Sequence, residues 1–414
     1  MADSKHYDAL ETRDPAQREA ALMAALPGQV ANAKNKAPGF TQILRDIDPA
    51  RVNSRAELAK LPLTRKSDLK ALQAASKPFG GLITLPPGAL GKIFMSPGPI
   101  YDPEARRPDY WRSARALYAC GIRAGDILHN TFSYHLTPAG SMLEAGGLQL
   151  GCAVIPAGTG NTEQQLEAIA DLQPTAYVGT AAFLRILVEK FIELGKPFPI
   201  KRAITGGDAL PPALRSWLKE KGMQDVMQFY GTADLGTIAY ESEALEGMTL
   251  DEEVILEIVR PGTGDPVAEG EVGEVVITTL NPEYPLIRFA TGDLSAVLPG
   301  VSPCGRTNTR IKGWMGRADQ TTKVKGMFVQ PGHVDAIAKR HPEILKARLV
   351  VEGEMANDRM TLMVEIGDWT VPDLSENIAA SIREVTKLRG DVQFLTPGAL
   401  PNDGKVIEDA RKYD

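Results

Sequence analysis

The chain has 414 residues, 43% hydrophobic and 24% charged, with a formal net charge of −6. Those figures exclude a disordered polymer and argue against non-specific nucleic-acid binding by the whole surface. Three distant cysteines, Cys120, Cys152 and Cys304, exclude a disulfide framework, and no stretch nears the roughly 18 uninterrupted apolar residues of a membrane span.

The length exceeds one compact core, so two or more domains are expected. The opening residues MADSKHYDALETRDPAQREAAL are polar and acidic, without the layout of a signal peptide, and a cytoplasmic enzyme is the expectation. Asp14-Pro15 reads as an N-cap followed by proline at the first helical position, which predicts a helix over 14–26. A second polar helix is predicted over 54–75, and Gly and Pro break regular structure over 80–100. From about 107 to 280 apolar runs alternate with helical patterns, as in βα units. GCAVIPAG, TAYVGT and KRAITGG read as strands; TEQQLEAIADL, AAFLRILVEKFIEL and PPALRSWLKEKG read as helices. Short buried strands ending in Gly-rich turns place ligands at their carboxyl ends. LEIV, EVVITTL and LSAVL within 253–298 predict a mainly β subdomain.

After about 318 the pattern resets to a small α+β unit: TTKVKGMFVQ a strand, PGHVDAIAKR a helix, ARLVVEG and RMTLMVEIG strands, DLSENIAASIREVTKL a helix and VQFL a last strand. Two short blocks precede it. ThrGlyAsp at 291–293 and GlyArgAlaAsp at 316–319 lie 25 positions apart, an order that suggests a nucleotide site followed by a hinge. Asp293 can offer both carboxylate oxygens to ribose hydroxyls, and Arg317 can fork onto a phosphate or ribose oxygen.

PLTRKSDLK at 62–70, GNTEQQLEAIADLQPTAYVGT at 160–180, ITGGDALPPALR at 204–215, FYGTADLG at 229–236, GEVVITTLNPEYPLIRFATGDL, GRADQTTKVKG and LPNDGKVIEDARK at 400–412 occur in this order. In them the chain resembles the phenylacetate–CoA ligase family of adenylate-forming enzymes over nearly its whole length. The resemblance implies an α/β fold: a large N-terminal adenylate-forming domain (α/β layers plus a β subdomain) over 1–317, and a small mobile C-terminal α+β lid domain over 318–414. It implies a homodimer that takes a small-molecule carboxylic acid, ATP, Mg2+ and coenzyme A, first forming acyl-AMP and then acyl-CoA.

The resemblance also assigns residues. Lys405 matches the catalytic lysine, Asp293 the ribose-binding aspartate, Arg317 its companion and Asp319 the hinge. Gly206, Gly207 and Asp208 match the loop beside adenine. Tyr230, Gly231, Thr232 and Asp234 match an aromatic–Gly–hydroxyl–acid motif, with Asp234 placed to hold Mg2+ where a Glu is usual. The acyl pocket is expected around Phe132, Tyr134, His135 and Gly140, with Thr180, Ala181 and Ala182, which suits an aromatic, phenylacetate-like acid. Two departures stand out. The phosphate loop corresponds to FMSPGPIYDPE at 94–104, where three prolines intrude and lysine is absent. The family's Cys/His cluster corresponds to Ser242, Thr249, Ser302 and Cys304, and one thiol cannot make a tetrahedral zinc site, so no zinc is expected. Transfer to a carrier-protein thiol, or a nucleotide- or acyl-binding relative without catalysis, remain the alternatives.

Overall fold

Asp14 accepts hydrogen bonds from the Ala16 and Gln17 N–H groups and Pro15 takes the first helical position, so the first long helix begins where expected in the computed structural model. It runs Pro15–Lys36, past the predicted end, because Leu22, Leu26, Val30 and Ala33 extend one buried stripe at helical spacing. The structure describes residues 4–96, 98–261, 263–318, 320, 322–353, 357–367, 369–401 and 406–411. The chain forms two compact units: Met1–Gly206 with Leu218–Met315, and Gly207–Trp217 with Gly316–Asp414.

Within the first unit, the strands Ile127–Asn130, Ala153–Pro156, Ala176–Gly179, Arg202–Thr205 and Asp225–Thr232 pair in parallel, in the order 153, 127, 176, 202, 225. The helices Thr162–Leu172 and Ala181–Glu193 cross between them, as the alternating pattern predicts. Ala176–Gly179 is wholly buried, as a strand covered on both faces should be. The sheet continues antiparallel through Gly236–Tyr240 and Met248–Leu250. A second sheet orders Thr64–Arg65, Phe289–Ser295, Gly273–Thr279 and Val254–Val259, giving the expected β region.

Two expectations for this unit need correction. The segment 54–75 is not one helix: it splits into a turn of helix at Arg55–Leu58, the strand Thr64–Arg65, a 3₁₀ turn Lys66–Asp68 and the helix Leu69–Ala75. Pro62 has no N–H to continue a helix, and the Thr64 N–H instead bonds the Arg288 carbonyl at 3.1 Å, drawing the segment into the sheet beside Phe289. The segment 94–104 is not simply a loop. Lys92–Ser96 pairs antiparallel with Ile100–Glu104 as a β-hairpin, with its register fixed from Lys92↔Glu104 to Ser96↔Ile100.

The second unit has its own apolar core, built from residues such as Val334, Leu349, Val351, Leu362, Ile378 and Ile382. Its sheet orders Asp391–Leu395, Arg359–Ile366, Ile344–Glu352 and Ile407–Asp409, with the helices Pro331–Ala338 and Leu374–Thr386. TTKVKGMFVQ is a hairpin rather than one strand, because Lys325 and Gly326 take φ of 46° and 85° and turn the chain between Thr322–Val324 and Met327–Val329. VQFL is not the last strand: Ile407–Asp409 pairs in parallel with Leu349–Val351.

Candidate active site

Five motif residues of the first unit gather at the carboxyl end of Asp225–Thr232 and the turn that follows. Tyr230 is buried, and its hydroxyl donates to Asp293 Oδ2 at 2.8 Å. Trp314 Nε1 donates to Asp293 Oδ1 at 3.1 Å, and the Asp293 N–H bonds Thr291 Oγ1 at 3.1 Å. Both Asp293 oxygens are therefore oriented by side-chain donors. The Tyr230 hydroxyl, which also lies 3.3 Å from Thr291 Oγ1, links the motif at 230–234 to ThrGlyAsp at 291–293. Gly231 is required sterically, since a Cβ there would meet the Gly236 carbonyl oxygen at 2.5 Å. Thr232 Oγ1 accepts from the Leu235 N–H at 3.2 Å, closing the tight turn that holds Asp234 inward.

Asp234 does not stand alone. Its Oδ2 accepts from Lys66 Nζ at 2.5 Å, with the carboxylate fully covered and the lysine side chain 26% exposed. Asp102, on the hairpin strand Ile100–Glu104, is 0% exposed. Among the described residues neither Asp102 oxygen has a hydrogen-bond partner of good geometry, and Asp234 Oδ1 has none either, although Ser96 lies close enough to favour the Asp102 carboxylate. Burial and then the Asp234 charge push the Asp102 carboxyl well above the usual carboxylate range, with Lys66 opposing. Burial pulls the Lys66 ammonium down, but the charge and hydrogen bond of Asp234 outweigh it and hold its pKa above the ordinary lysine value; Asp102 and Asp293 add smaller effects. Sequence reasoning missed Lys66 and Asp102. The available signal was Lys66 in PLTRKSDLK, hidden by reading 54–75 as a helix.

The candidate acyl residues lie at the neighbouring strand ends. Phe132 is buried edge-on against Phe229, with ring centroids 6.1 Å apart. Phe229 in turn lies under Gly206, where an added Cβ would come within 2.4 Å of the ring. The Gly206 N–H bonds the Gly179 carbonyl at 3.1 Å, one residue before Thr180. Thr180 caps the helix Ala181–Glu193 by accepting from the Phe183 N–H at 3.3 Å, and Ala181 is buried beneath it. Tyr134 is half-buried and its hydroxyl accepts from Asn130 Nδ2 at 2.8 Å, while Gly140 packs against its ring. Ala182 lies in the first turn of that helix. His135 is exposed, with its backbone N–H on Ser133 Oγ at 3.1 Å.

Gly207, Asp208 and Arg317 belong to the second unit. Gly207 takes a φ of 78°, which suits glycine; Asp208 and Arg317 are half-buried. Lys405 and Asp319 lie outside the described residues. Their described neighbours are joined: Gln320 Oε1 accepts from the Val406 and Ile407 N–H groups at 2.9 and 3.4 Å. Of the four positions expected to replace a zinc cluster, Ser302 Oγ lies 3.0 Å from Cys304 Sγ. Burial raises the Cys304 thiol, but hydrogen bonds from Ser242, Ser302 and Arg306 outweigh it and hold the thiol below its ordinary pKa. Thr249 is paired in the strand Met248–Leu250. Among the described residues no group of three or more His, Cys, Asp or Glu could hold a metal ion; Asp234 Oδ1 and the Asp102 oxygens are the buried carboxylate oxygens of this site that could face a hard cation such as Mg2+.

A family model described as AMP-binding enzyme matches residues 112–281. The chain is 29% identical to the phenylacetate-coenzyme A ligase of Thermus thermophilus over 426 residues, covering 92% of this chain and 94% of that one. It is 28% identical to the phenylacetate-coenzyme A ligase of Aromatoleum evansii, covering 82% and 80%. A crystal structure of 2-hydroxyisobutyryl-CoA ligase with 2-HIB-AMP and CoA superposes with a TM-score of 0.84 at 23% identity, covering 100% of this chain and 94% of that chain. That last likeness speaks for the fold. In sequence the chain is similar to phenylacetate-coenzyme A ligases over most of its length, and in fold it is similar to a CoA ligase.

Proposed function

We propose that the protein activates an aromatic, phenylacetate-like carboxylic acid with ATP to acyl-AMP and pyrophosphate, then transfers the acyl group to coenzyme A with release of AMP. The observation that supports this is the Tyr230–Asp293 hydrogen bond, which orients a buried carboxylate whose charge, like that of Asp234, acts on Lys66. The support for an aromatic acid is the Phe132–Phe229 pair at the adjoining strand ends, together with the names of the relatives.

In this reading Asp293 holds the ribose hydroxyls, oriented by Tyr230 and Trp314. Gly206, Gly207 and Asp208 flank adenine, and Thr232 faces the phosphates. Arg317 reaches phosphate or ribose. Asp234 and Asp102 hold Mg2+, which supplies charge neutralisation on the phosphates. Lys405, on the 318–414 domain, places an ammonium at the carboxylate and the α-phosphate, and Asp319 is the hinge of that domain. Phe132, Tyr134, Thr180 and Ala181 receive the acid's apolar body, with His135 at the rim.

The test is pyrophosphate release over a panel of aromatic and aliphatic acids, with and without coenzyme A. The expected outcome is acid-dependent release that is greatest with arylacetates, and thioester only when coenzyme A is present. Acyl-AMP formed without transfer to coenzyme A would move the reading to a carrier-protein acceptor. No release with any acid would overturn it. Lys405→Ala should lower acyl-AMP formation by roughly two to four orders of magnitude, the range spanned by losing one preorganised charge-stabilising group, while thioester formation from pre-made acyl-AMP survives. Equal loss in both half-reactions would remove Lys405 from its assigned role.

A further inference from the structure

A hairpin occupies the place where a phosphate-cradling loop is expected, and it carries no lysine between Phe94 and Glu104. What that hairpin contributes instead is a buried acid, Asp102. A site for polyphosphate built only from Asp102, Asp234 and Asp293 would repel its ligand. The missing positive charge comes from a different part of the chain. Thr64–Arg65 pairs in parallel with Phe289–Ser295, in the register Thr64↔Phe289 and Arg65↔Ala290. That pairing delivers the next residue, Lys66, alongside the strand that carries Asp293 and onto the turn that carries Asp234.

Three features suit Lys66 to a ligand rather than to a structural pair alone. Its ammonium has three donors, and among the described residues it makes one hydrogen bond, to Asp234. Its side chain keeps 26% of its surface exposed while its partner keeps none, so the pair lies at a wall with the cation on the open side. Its flexible four-carbon stem can turn the charge from the carboxylate to a phosphate oxygen without backbone movement.

We propose that Lys66 is the cation that receives the β- and γ-phosphates of ATP, and hence the pyrophosphate product, in place of a phosphate-loop lysine. The inference rests on the reading of this site as an ATP site. Lys66 lies on a segment apart from the hairpin, so positive charge and loop are supplied separately. While Asp234 accepts from Lys66, the ammonium is held at the wall of the site. When Asp234 turns its oxygens to a hard cation, Lys66 is released toward the anion that accompanies it.

Calorimetric binding of MgATP, magnesium pyrophosphate and AMP to the full-length protein tests this, because AMP lacks the phosphates that Lys66 is proposed to hold. Lys66→Met should weaken MgATP and magnesium pyrophosphate about tenfold or more, as loss of a charge-assisted hydrogen bond does, and leave AMP within about twofold. Lys66→Arg should recover part of the loss. MgATP and magnesium pyrophosphate bound by Lys66→Met as tightly as by the wild type would overturn the inference, as would equal weakening of all three ligands. If the single variant folds poorly because Asp102 and Asp234 are left facing each other, Lys66→Met with Asp102→Asn removes that repulsion, and the same split must appear relative to Asp102→Asn alone. A wild-type protein that binds neither MgATP nor AMP overturns the underlying reading and the Lys66 role together. A wild type that binds both, beside an unaffected Lys66→Met, overturns the Lys66 role alone.

Discussion

Asp109 holds the start of the helix Ala114–Ala119: its Oδ1 accepts from the Ser113 N–H at 2.8 Å and its Oδ2 from the Ala114 N–H at 3.0 Å. Burial nevertheless pushes its carboxyl up to about 6, since the hydrogen bonds and the Arg112 charge do not fully offset the lost hydration. The folded chain then binds this proton more tightly than the unfolded chain does. The stabilisation is complete below about pH 4 and is lost as pH rises through about 6. Wild type should therefore lose stability relative to Asp109→Asn over that interval, measured by denaturant unfolding at each pH; parallel curves would exclude the effect. At this scale the sequence was legible where residues come as ordered blocks, as with Tyr230, Asp234 and Asp293. It was illegible where a partner lies far along the chain. Lys66 and Asp234 are 168 positions apart, and nothing local to either announces the ion pair.

The short strand Thr64–Arg65 reaches the second sheet because Arg288 reels in the chain before it. The Arg288 guanidinium donates to the Ala59 and Leu61 carbonyls at 2.7 and 2.6 Å and to the Gly264 carbonyl at 2.8 Å. It also pairs with Glu257 at 3.0 Å, the two side chains being 3% and 6% exposed. Removing one member of such a pair leaves a buried charge uncompensated. Arg288→Leu should cost about 3–5 kcal/mol of unfolding free energy in denaturant titration. It should also speed amide exchange at Thr64, whose N–H bonds the Arg288 carbonyl at 3.1 Å. A change under about 1 kcal/mol would show that the site segment is anchored elsewhere, as surface changes are. Periodicity found the long helices and the parallel strands, since their burial repeats along the sequence. It missed this element: two residues of strand have no period, and the pairing is fixed by an arginine more than 200 positions downstream.

Taken whole, the molecule divides into two compact units, and the apolar core within Gly316–Asp414 is built from that unit's own residues. Val334, Ile337, Leu349, Leu362, Ile378 and Ile382 pack together, and Thr322 Oγ1 donates to Asp409 Oδ2 at 2.9 Å. Arg411 reaches the Lys323 carbonyl at 2.8 Å, which ties the last strand to the first hairpin. A fragment of residues 318–414 should accordingly unfold in a single cooperative transition by circular dichroism, with far-ultraviolet signal from both helix and strand. A featureless melt would make the domain division fail. The reset of pattern after 318 lies close to the Gly316 boundary, but nothing in the sequence marks Gly207–Trp217 as part of the same unit, and the final strand escaped because three residues beyond a turn give too short a run to read. The three natural thiols all belong to the other unit and are buried: Cys120 at 0%, Cys152 at 6% and Cys304 at 3% exposure. Burial also raises Cys152 to about 11, which leaves little reactive thiolate there, while Cys304, whose thiol is held below its ordinary pKa, is kept from reagents by its burial alone. A cysteine introduced at Trp369, 57% exposed, would then be the fast-reacting sulfur of the native chain. The protein thus accepts a fluorophore on the small domain with its own sulfurs left in place, and the swing expected of that domain becomes an optical signal rather than an inference.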